Sequence, residues 1–327
     1  MKRLSVVIAN YNYEHYVGDA IDSALALRWD DLEVVVVDDG STDASHEVIS
    51  RYADRVTVLL TENSGQRVAV NRGYELSSGD VVIFLDSDDV LPPDLPLQLD
   101  AVWSSDVSKV QFQMQRIGAS GQPIGTAFPQ YDPIPTPAQI RRWARTTTAY
   151  PTPPGSGNAY ARWFLDRLFP VPSSLGDAAD SACLAAAPFL GDVIAVPGVI
   201  VGYRQHAAND SNLLVDYGRF AREVSRARMR WRFAQQASGF PPDDRPLFRS
   251  RELLQLRVAA RRVSQVDEAL PGESLGRLLL DVLRSPVHVG PEPMVRRMVI
   301  VLWCMATLVA PRAFVSRLLA LRFGRHR

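Results

Sequence analysis

Three carboxylates within four residues, Asp86-Ser87-Asp88-Asp89, follow directly on the apolar run Val81-Val82-Ile83-Phe84-Leu85. A run of β-branched and aromatic residues of that length reads as a strand buried on both faces. Gly79-Asp80 and Pro92-Pro93 bound it, so its acids fall at the carboxyl end, where open α/β sheets bind ligands. Asp86 and Asp88 are two apart and point the same way where extended geometry persists. Two hard oxygen donors on one side suit Mg2+ or Mn2+, which fill their shell with water and phosphate. A solvated acidic loop with capping roles is the other reading of an isolated Asp-Xaa-Asp. A second apolar run, residues 32–37, also ends in acids, Asp38-Asp39, before Gly40-Ser41-Thr42-Asp43.

The elements that must position these acids alternate. Residues 4–9 read as a strand, 17–27 as a helix with Ala20, Ile21, Ala24 and Leu27 at helical spacing, 32–37 as a strand and 44–52 as a helix. A strand at 56–60 and a helix at 68–76 lead to the strand at 81–85. Such spacing implies a mostly parallel sheet covered by helices on both faces, with both acid pairs at one edge. Beyond it, a helix is expected over 91–106, a strand over 110–116, a loop rich in Pro and Thr over 121–154, and two short strands, 193–196 and 199–201, around Pro197-Gly198.

At 327 residues and 46% hydrophobic content the chain has room for one large or two moderate domains with a sizeable core. Lys and Arg total 36 against 36 acids, so no global field recruits nucleic acid. Lys2 and Lys109 are the only lysines. Cys183 and Cys304 offer neither a disulfide framework nor metal spacing, which fits a reducing, cytoplasmic compartment. The apolar start is too short for a signal peptide and lacks a small-residue cleavage site. Neither GxGxxG after the first strand nor GxxxxGK[ST] occurs, so phosphate must be held through a metal and Arg. The last third reads as Arg-rich helices, with an apolar stretch at 298–310 that falls short of the ~20 residues needed to span a bilayer. With the Leu/Arg alternation of 314–327 it suits either an interfacial element on an anionic cytoplasmic leaflet or a helical pair packing on the domain or on a second subunit.

Four blocks carry a resemblance. Ser5-Val6-Val7-Ile8-Ala9-Asn10-Tyr11-Asn12, Val35-Val36-Val37-Asp38-Asp39-Gly40-Ser41-Thr42-Asp43, Asn63-Ser64-Gly65 with Ala69-Val70-Asn71-Arg72-Gly73, and Phe84-Leu85-Asp86-Ser87-Asp88-Asp89 together resemble the family-two glycosyltransferases of the GT-A fold, in the family's order. The resemblance implies an α/β GT-A fold with a nucleotide-sugar-binding half over 1–100, an acceptor-binding half over 101–212 and a helical extension over 213–327. It implies an inverting, metal-dependent transfer of one sugar from a UDP- or other NDP-sugar to a hydroxyl of a glycan or lipid-linked acceptor. Ala9 and Tyr11 would border the base, Asp39 would bond it, and Asp38 and Asn63 would shape the same pocket. Asp86 would sit near ribose and metal, Asp88 would coordinate Mn2+ or Mg2+, and Arg67 would be a second clamp on the diphosphate.

Residues 153–160 resemble the acceptor-half segment of single-transfer members, with Gly157 and Asn158 placed to let sugar approach the backbone. A base must take the acceptor proton as the hydroxyl attacks opposite the nucleotide. The register of Ala179-Asp180 to Gly191 matches the family's Glu-Asp helix, which favours Asp180; Ala179 stands where the family has Glu, and Asp177 is the fallback. Tyr203-Arg204-Gln205-His206 resembles the Tyr-Arg-x-His that closes the domain, and the resemblance implies that His206, and Arg204 with it, would reach metal or diphosphate; a structural histidine is the other reading. Gln139-Ile140-Arg141-Arg142-Trp143 spells the QxxRW of processive relatives but precedes the candidate base, so it reads as an amphipathic turn. Loss of the Glu before Asp180 leaves open a polyprenyl-phosphate sugar transferase, which needs no strong base, and a sugar-nucleotide-binding scaffold.

Overall fold

The computed structural model describes residues 3–176, 179–206, 216–264 and 269–324. Strand and helix alternate as the hydrophobic pattern requires: β1 (Leu4–Asn10), α1 (Val17–Leu25), β2 (Leu32–Asp38), α2 (Ser45–Ser50), β3 (Thr57–Leu60), α3 (Gln66–Leu76) and β4 (Val81–Asp86). Then follow α4 (Leu95–Val102), β5 (Val107–Ile117), β6 (Pro123–Phe128), α5 (Pro137–Thr147), β7 (Asn158–Ala161), α6 (Arg162–Leu165), α7 (Ala179–Leu190) and β8 (Asp192–Arg204). The sheet order is β3-β2-β1-β4-β7-β5-β6, with β8 also paired to β5. β1 lies parallel between β2 and β4, whereas β7 is antiparallel to both β4 and β5. Val6, Ile8, Val34, Val36, Ile83 and Leu85 interlock in the core under α1 and α4, which is why these strands carry continuous apolar runs rather than alternation.

At the amino ends, Glu33 ties three segments together. Its carboxylate accepts from Ser5 Oγ, from the backbone N–H groups of Ser78 and Gly79, and from Arg3 Nη2 at 3.1 Å. Burial works to raise the Glu33 pKa, but the hydrogen bonds from Ser5 and Ser78 and the charge of Arg3 hold it below the usual range. This pins the register, which at the other end sets Ala9 opposite Asp86 and Asn10 opposite Asp38.

Several expectations need correction. The helix expected over 91–106 is confined to Leu95–Val102, because Pro92-Pro93 restrict the backbone before it. The segment 121–154 is not all loop: it contains β6 and α5. Gln139 to Trp143 lie on α5, a full helix, where Ile140 is buried and Arg141 pairs with Asp192 at 2.5 Å. The two short strands around Pro197-Gly198 are one strand, β8, whose register with β5 shifts between Phe112 and Gln113. A bulge there accommodates a proline that cannot donate to the ladder and Gly198 at φ +86°.

The chain forms two compact units, residues 1–141 with 151–207 and residues 142–150 with 208–327. The second contains α8 (Arg219–Ala237), α9 (Arg245–Arg249), α10 (Arg251–Ala259), α11 (Leu275–Arg284), α12 (Met294–Val309) and α13 (Arg312–Phe323). Leu254, Val258, Leu278, Val282, Ile300 and Cys304 form its core. Buried Arg257 pairs with Glu273 at 3.2 Å and Asp281 at 2.7 Å, and buried Arg251 pairs with Glu292 at 2.6 Å. Among the described residues no helix is long and apolar enough to cross a membrane.

Candidate active site

The carboxyl ends of β1 and β2 build a polar rim. Asp38 Oδ1 accepts from the Ser41 N–H at 2.9 Å, and its Oδ2 accepts from Asn10 Nδ2 at 2.8 Å and Ser41 Oγ at 2.7 Å. Buried Asp38 thus orders the loop after β2. Asp39, also buried, accepts from the N–H of Ser64 at 2.9 Å and of Gly65 at 2.8 Å, drawing the loop before α3 over the strand end. Gly40 sits at φ +74°, and a Cβ there would lie 2.6 Å from Asn63 N, so only glycine lets the two loops meet. Asn12 Oδ1 accepts from the Thr42 N–H at 2.7 Å, and Tyr11 beside it is 44% exposed. Ala9, Tyr11, Asp38, Asp39 and Asn63 therefore share one edge of the sheet.

The second group gathers where β4 ends. The Asp86 N–H donates to Ser156 Oγ at 3.0 Å, and Gln66 Nε2 donates to Asp86 Oδ1 at 3.3 Å. A Cβ built on Gly155 would lie 3.2 Å from Asp86 Oδ2 and 3.7 Å from Asp180 Oδ2. That places the end of β4 and the first turn of α7 close to one glycine. Burial first, then the charges of Asp88 and Asp180, push the Asp86 carboxyl up to about 7. Burial and the charges of Asp86 and Asp88 likewise raise Asp89 well above the usual range. Asp89 Oδ1 accepts the Arg204 N–H at 2.9 Å, and its buried Oδ2 has no hydrogen-bond partner among the described residues.

Asp88 Oδ2 lies 3.0 Å from His206 Nε2. The imidazole stacks on Tyr16, centroids 4.8 Å apart, and meets the edge of Tyr13 at 5.5 Å. Arg204 fixes the neighbouring turn, its Nε donating to the Asp88 carbonyl at 2.8 Å and its Nη2 to Asp19 at 2.9 Å. The 3.0 Å between Asp88 and His206 is a hydrogen bond between the two side chains; it also equals the spacing of about 3 Å between adjacent donors on an octahedral ion bound at 2.0–2.1 Å. Among the described residues no three His, Cys, Asp or Glu side chains are arranged to hold an ion. A diphosphate and water would have to complete the shell, as hard divalent ions commonly require.

Three expected binding residues have structural work. Arg67 Nη1 donates to the Val171 carbonyl at 3.1 Å, beside Asn71, which brackets both polar groups of Val171. Gly157 is buried, and a Cβ there would lie 2.7 Å from Pro153 Cβ and 2.9 Å from Met114 Sδ. Asn158, also buried, donates to the carbonyls of Pro153, Pro154 and Gly155. The glycine that faces the acids is Gly155. Asp177 lies outside the described residues.

Sequence reasoning missed Lys109. Its buried amine donates to Thr152 Oγ1 at 2.7 Å and Asn158 Oδ1 at 2.9 Å, and burial lowers its pKa well below the usual lysine range. Through Asn158 it holds the turn that sets Gly155 and Ser156 against Asp86. A signal existed: one of only two lysines, between Val107 and Val110 in a strand. Lys109→Met, which keeps the length and removes the donor, is expected to cost about 1–3 kcal/mol of stability and to lower turnover, read by thermal unfolding and initial rates. An unchanged melting temperature with full turnover would contradict this role.

Residues 5–167 match the family model described as glycosyl transferase family 2. The chain is 36% identical over 214 residues to an uncharacterised glycosyltransferase of Nostoc sp., covering 64% of this chain and 66% of that protein. The matches to other curated relatives cover 26–29% of this chain and 14–39% of the relatives' own length. Two solved structures share the fold. A mannosyltransferase, PcManGT, from Pyrobaculum calidifontis, in complex with GDP-Man and Mn2+, aligns at TM-score 0.52 and 19% identity, covering 97% of this chain and 84% of that one. S. aureus TarS 1-349 in complex with UDP-GlcNAc aligns at TM-score 0.55 and 15% identity, covering 99% and 93%. The fold is thus GT-A, and the four sequence blocks that line the carboxyl edge of its sheet fall inside the matched region: the chain belongs to glycosyl transferase family 2.

Proposed function

We propose that the chain transfers one sugar, with inversion, from a nucleotide-sugar to a hydroxyl of a glycan or lipid-linked acceptor. The observation that carries this is the approach of Asp180 to Asp86 around Gly155, which puts a candidate base beside the candidate donor site. The base of the nucleotide rests between Tyr11, Ala9 and the Asp38–Asp39 loop. Asp88 and His206, with Asp86 nearby, would hold Mn2+ or Mg2+. The ion supplies Lewis-acid stabilisation of the charge that develops on the leaving nucleoside diphosphate. Asp180 takes the acceptor proton as the hydroxyl attacks the anomeric carbon.

Solved structures of the same fold with GDP-Man and Mn2+ and with UDP-GlcNAc support a sugar-nucleotide donor and a divalent ion. An acid in the register of the family's base favours a hydroxyl acceptor over a polyprenyl phosphate, whose oxygen is already ionised. Independently of the acceptor, the C-terminal helices serve peripheral contact with the inner face of the plasma membrane, or self-association. A screen of UDP-, GDP- and dTDP-sugars for nucleoside diphosphate release, with Mn2+, Mg2+ or chelator, tests the reaction. One donor class consumed only with a divalent ion is expected. No consumption of any donor, or chelator-resistant consumption, would contradict it.

A further inference from the structure

The last three helices carry a surface the transfer reaction does not use. On α12, Ile300, Cys304 and Thr307 are buried, facing the core made with α10 and α11. The opposite side of the same helix is also apolar: Val295, Met298, Val299, Leu302 and Val309 recur at helical spacing, and Leu302 is 66% exposed. Leu283 on α11, Val287 in the turn after it, and Phe314 and Leu321 on α13 add exposed apolar surface to the neighbouring elements. A helix apolar on both sides in a water-facing position marks an interaction site.

Charge selects the partner. From Met294 to Phe323 the sequence holds five arginines, at 296, 297, 312, 317 and 322, and no Asp, Glu or Lys. The acids just before it, Glu273, Asp281 and Glu292, are taken up by Arg257 and Arg251. Two copies pairing through this face would set arginine against arginine. A surface that accepts apolar side chains while presenting negative charge at their level satisfies both features. We infer that α11, α12 and α13 dock on an anionic lipid surface, lying in its interfacial plane with the apolar side of α12 immersed and Arg296, Arg312 and Arg317 at the headgroups. The sixteen residues of α12 are too few to span a bilayer. This docking does not depend on the proposed transfer reaction.

The test is sedimentation of the full chain with vesicles of phosphatidylcholine alone and of phosphatidylcholine doped with phosphatidylglycerol. Binding is expected only to the anionic vesicles and should weaken with salt. Arg296→Gln and Arg312→Gln should each weaken it about fivefold, the equivalent of about 1 kcal/mol per basic residue near such a surface. Leu302→Glu should abolish it while leaving the circular dichroism spectrum and donor consumption unchanged. Equal binding to both vesicle types overturns the inference. So does binding to neither, including the case where light scattering finds a dimer that Leu302→Glu dissociates.

Discussion

Asp180→Asn is expected to bind donor as the natural chain does and to lose about 10²–10⁴ of its turnover. The amide keeps the size and the first-turn position of the carboxylate on α7 but cannot take the acceptor proton. Asp180 is one of the charges that raise the Asp86 carboxyl. Neutralising it should therefore ease ionisation of Asp86 and leave metal-dependent donor affinity equal or slightly tighter, a readout that a misfolded site would not give. Single-turnover sugar transfer together with donor titration measures both. Turnover retained in Asp180→Asn but lost in Asp177→Asn would move the base to the fallback residue. Turnover retained in both would favour a phosphate acceptor, and absence of any turnover in the natural chain would favour a binding scaffold.

Asp88→Ala is expected to lower turnover by about 10²–10³ and to make donor binding insensitive to manganese. The turn should survive, because Arg204 still holds the Asp88 carbonyl and the Asp89 carboxylate. His206 keeps its stacking on Tyr16 but loses the oxygen that would share an ion with it. Steady-state rates across a manganese titration check the effect. A variant with natural rates and natural metal response would place the ion elsewhere.

Where apolar period and acid position coincide, the sequence was readable. Continuous β-branched runs ending in Asp38-Asp39 and Asp86 to Asp89 read as buried parallel strands with their acids at one edge, and β2 and β4 lie so on either side of β1. What stayed hidden arises from contacts between distant segments. Nothing local in Gly155 or Ser156 says that a turn after a proline pair will rest on Asp86. The antiparallel insertion of β7 between β4 and β5 brings it there. Arg67 and Asn158 look free in sequence because their partners, the Val171 carbonyl and Lys109, lie far along the chain. β6 went unseen because Pro123, Gly125 and its exposed residues lack strand alternation, and β8 was split in two because its bulge mimics a turn.

The proposed convergence of the Asp38–Asp39 loop, Asp86, Asp88 and His206 on one metal-chelated sugar nucleotide is tested most directly by calorimetric titration of UDP and GDP into the chain, with and without Mn2+, beside Asp88→Ala. Saturable uptake of one nucleotide that needs Mn2+ and disappears in the variant is the expected result. Uptake indifferent to Mn2+, or a full manganese response in Asp88→Ala, would contradict it.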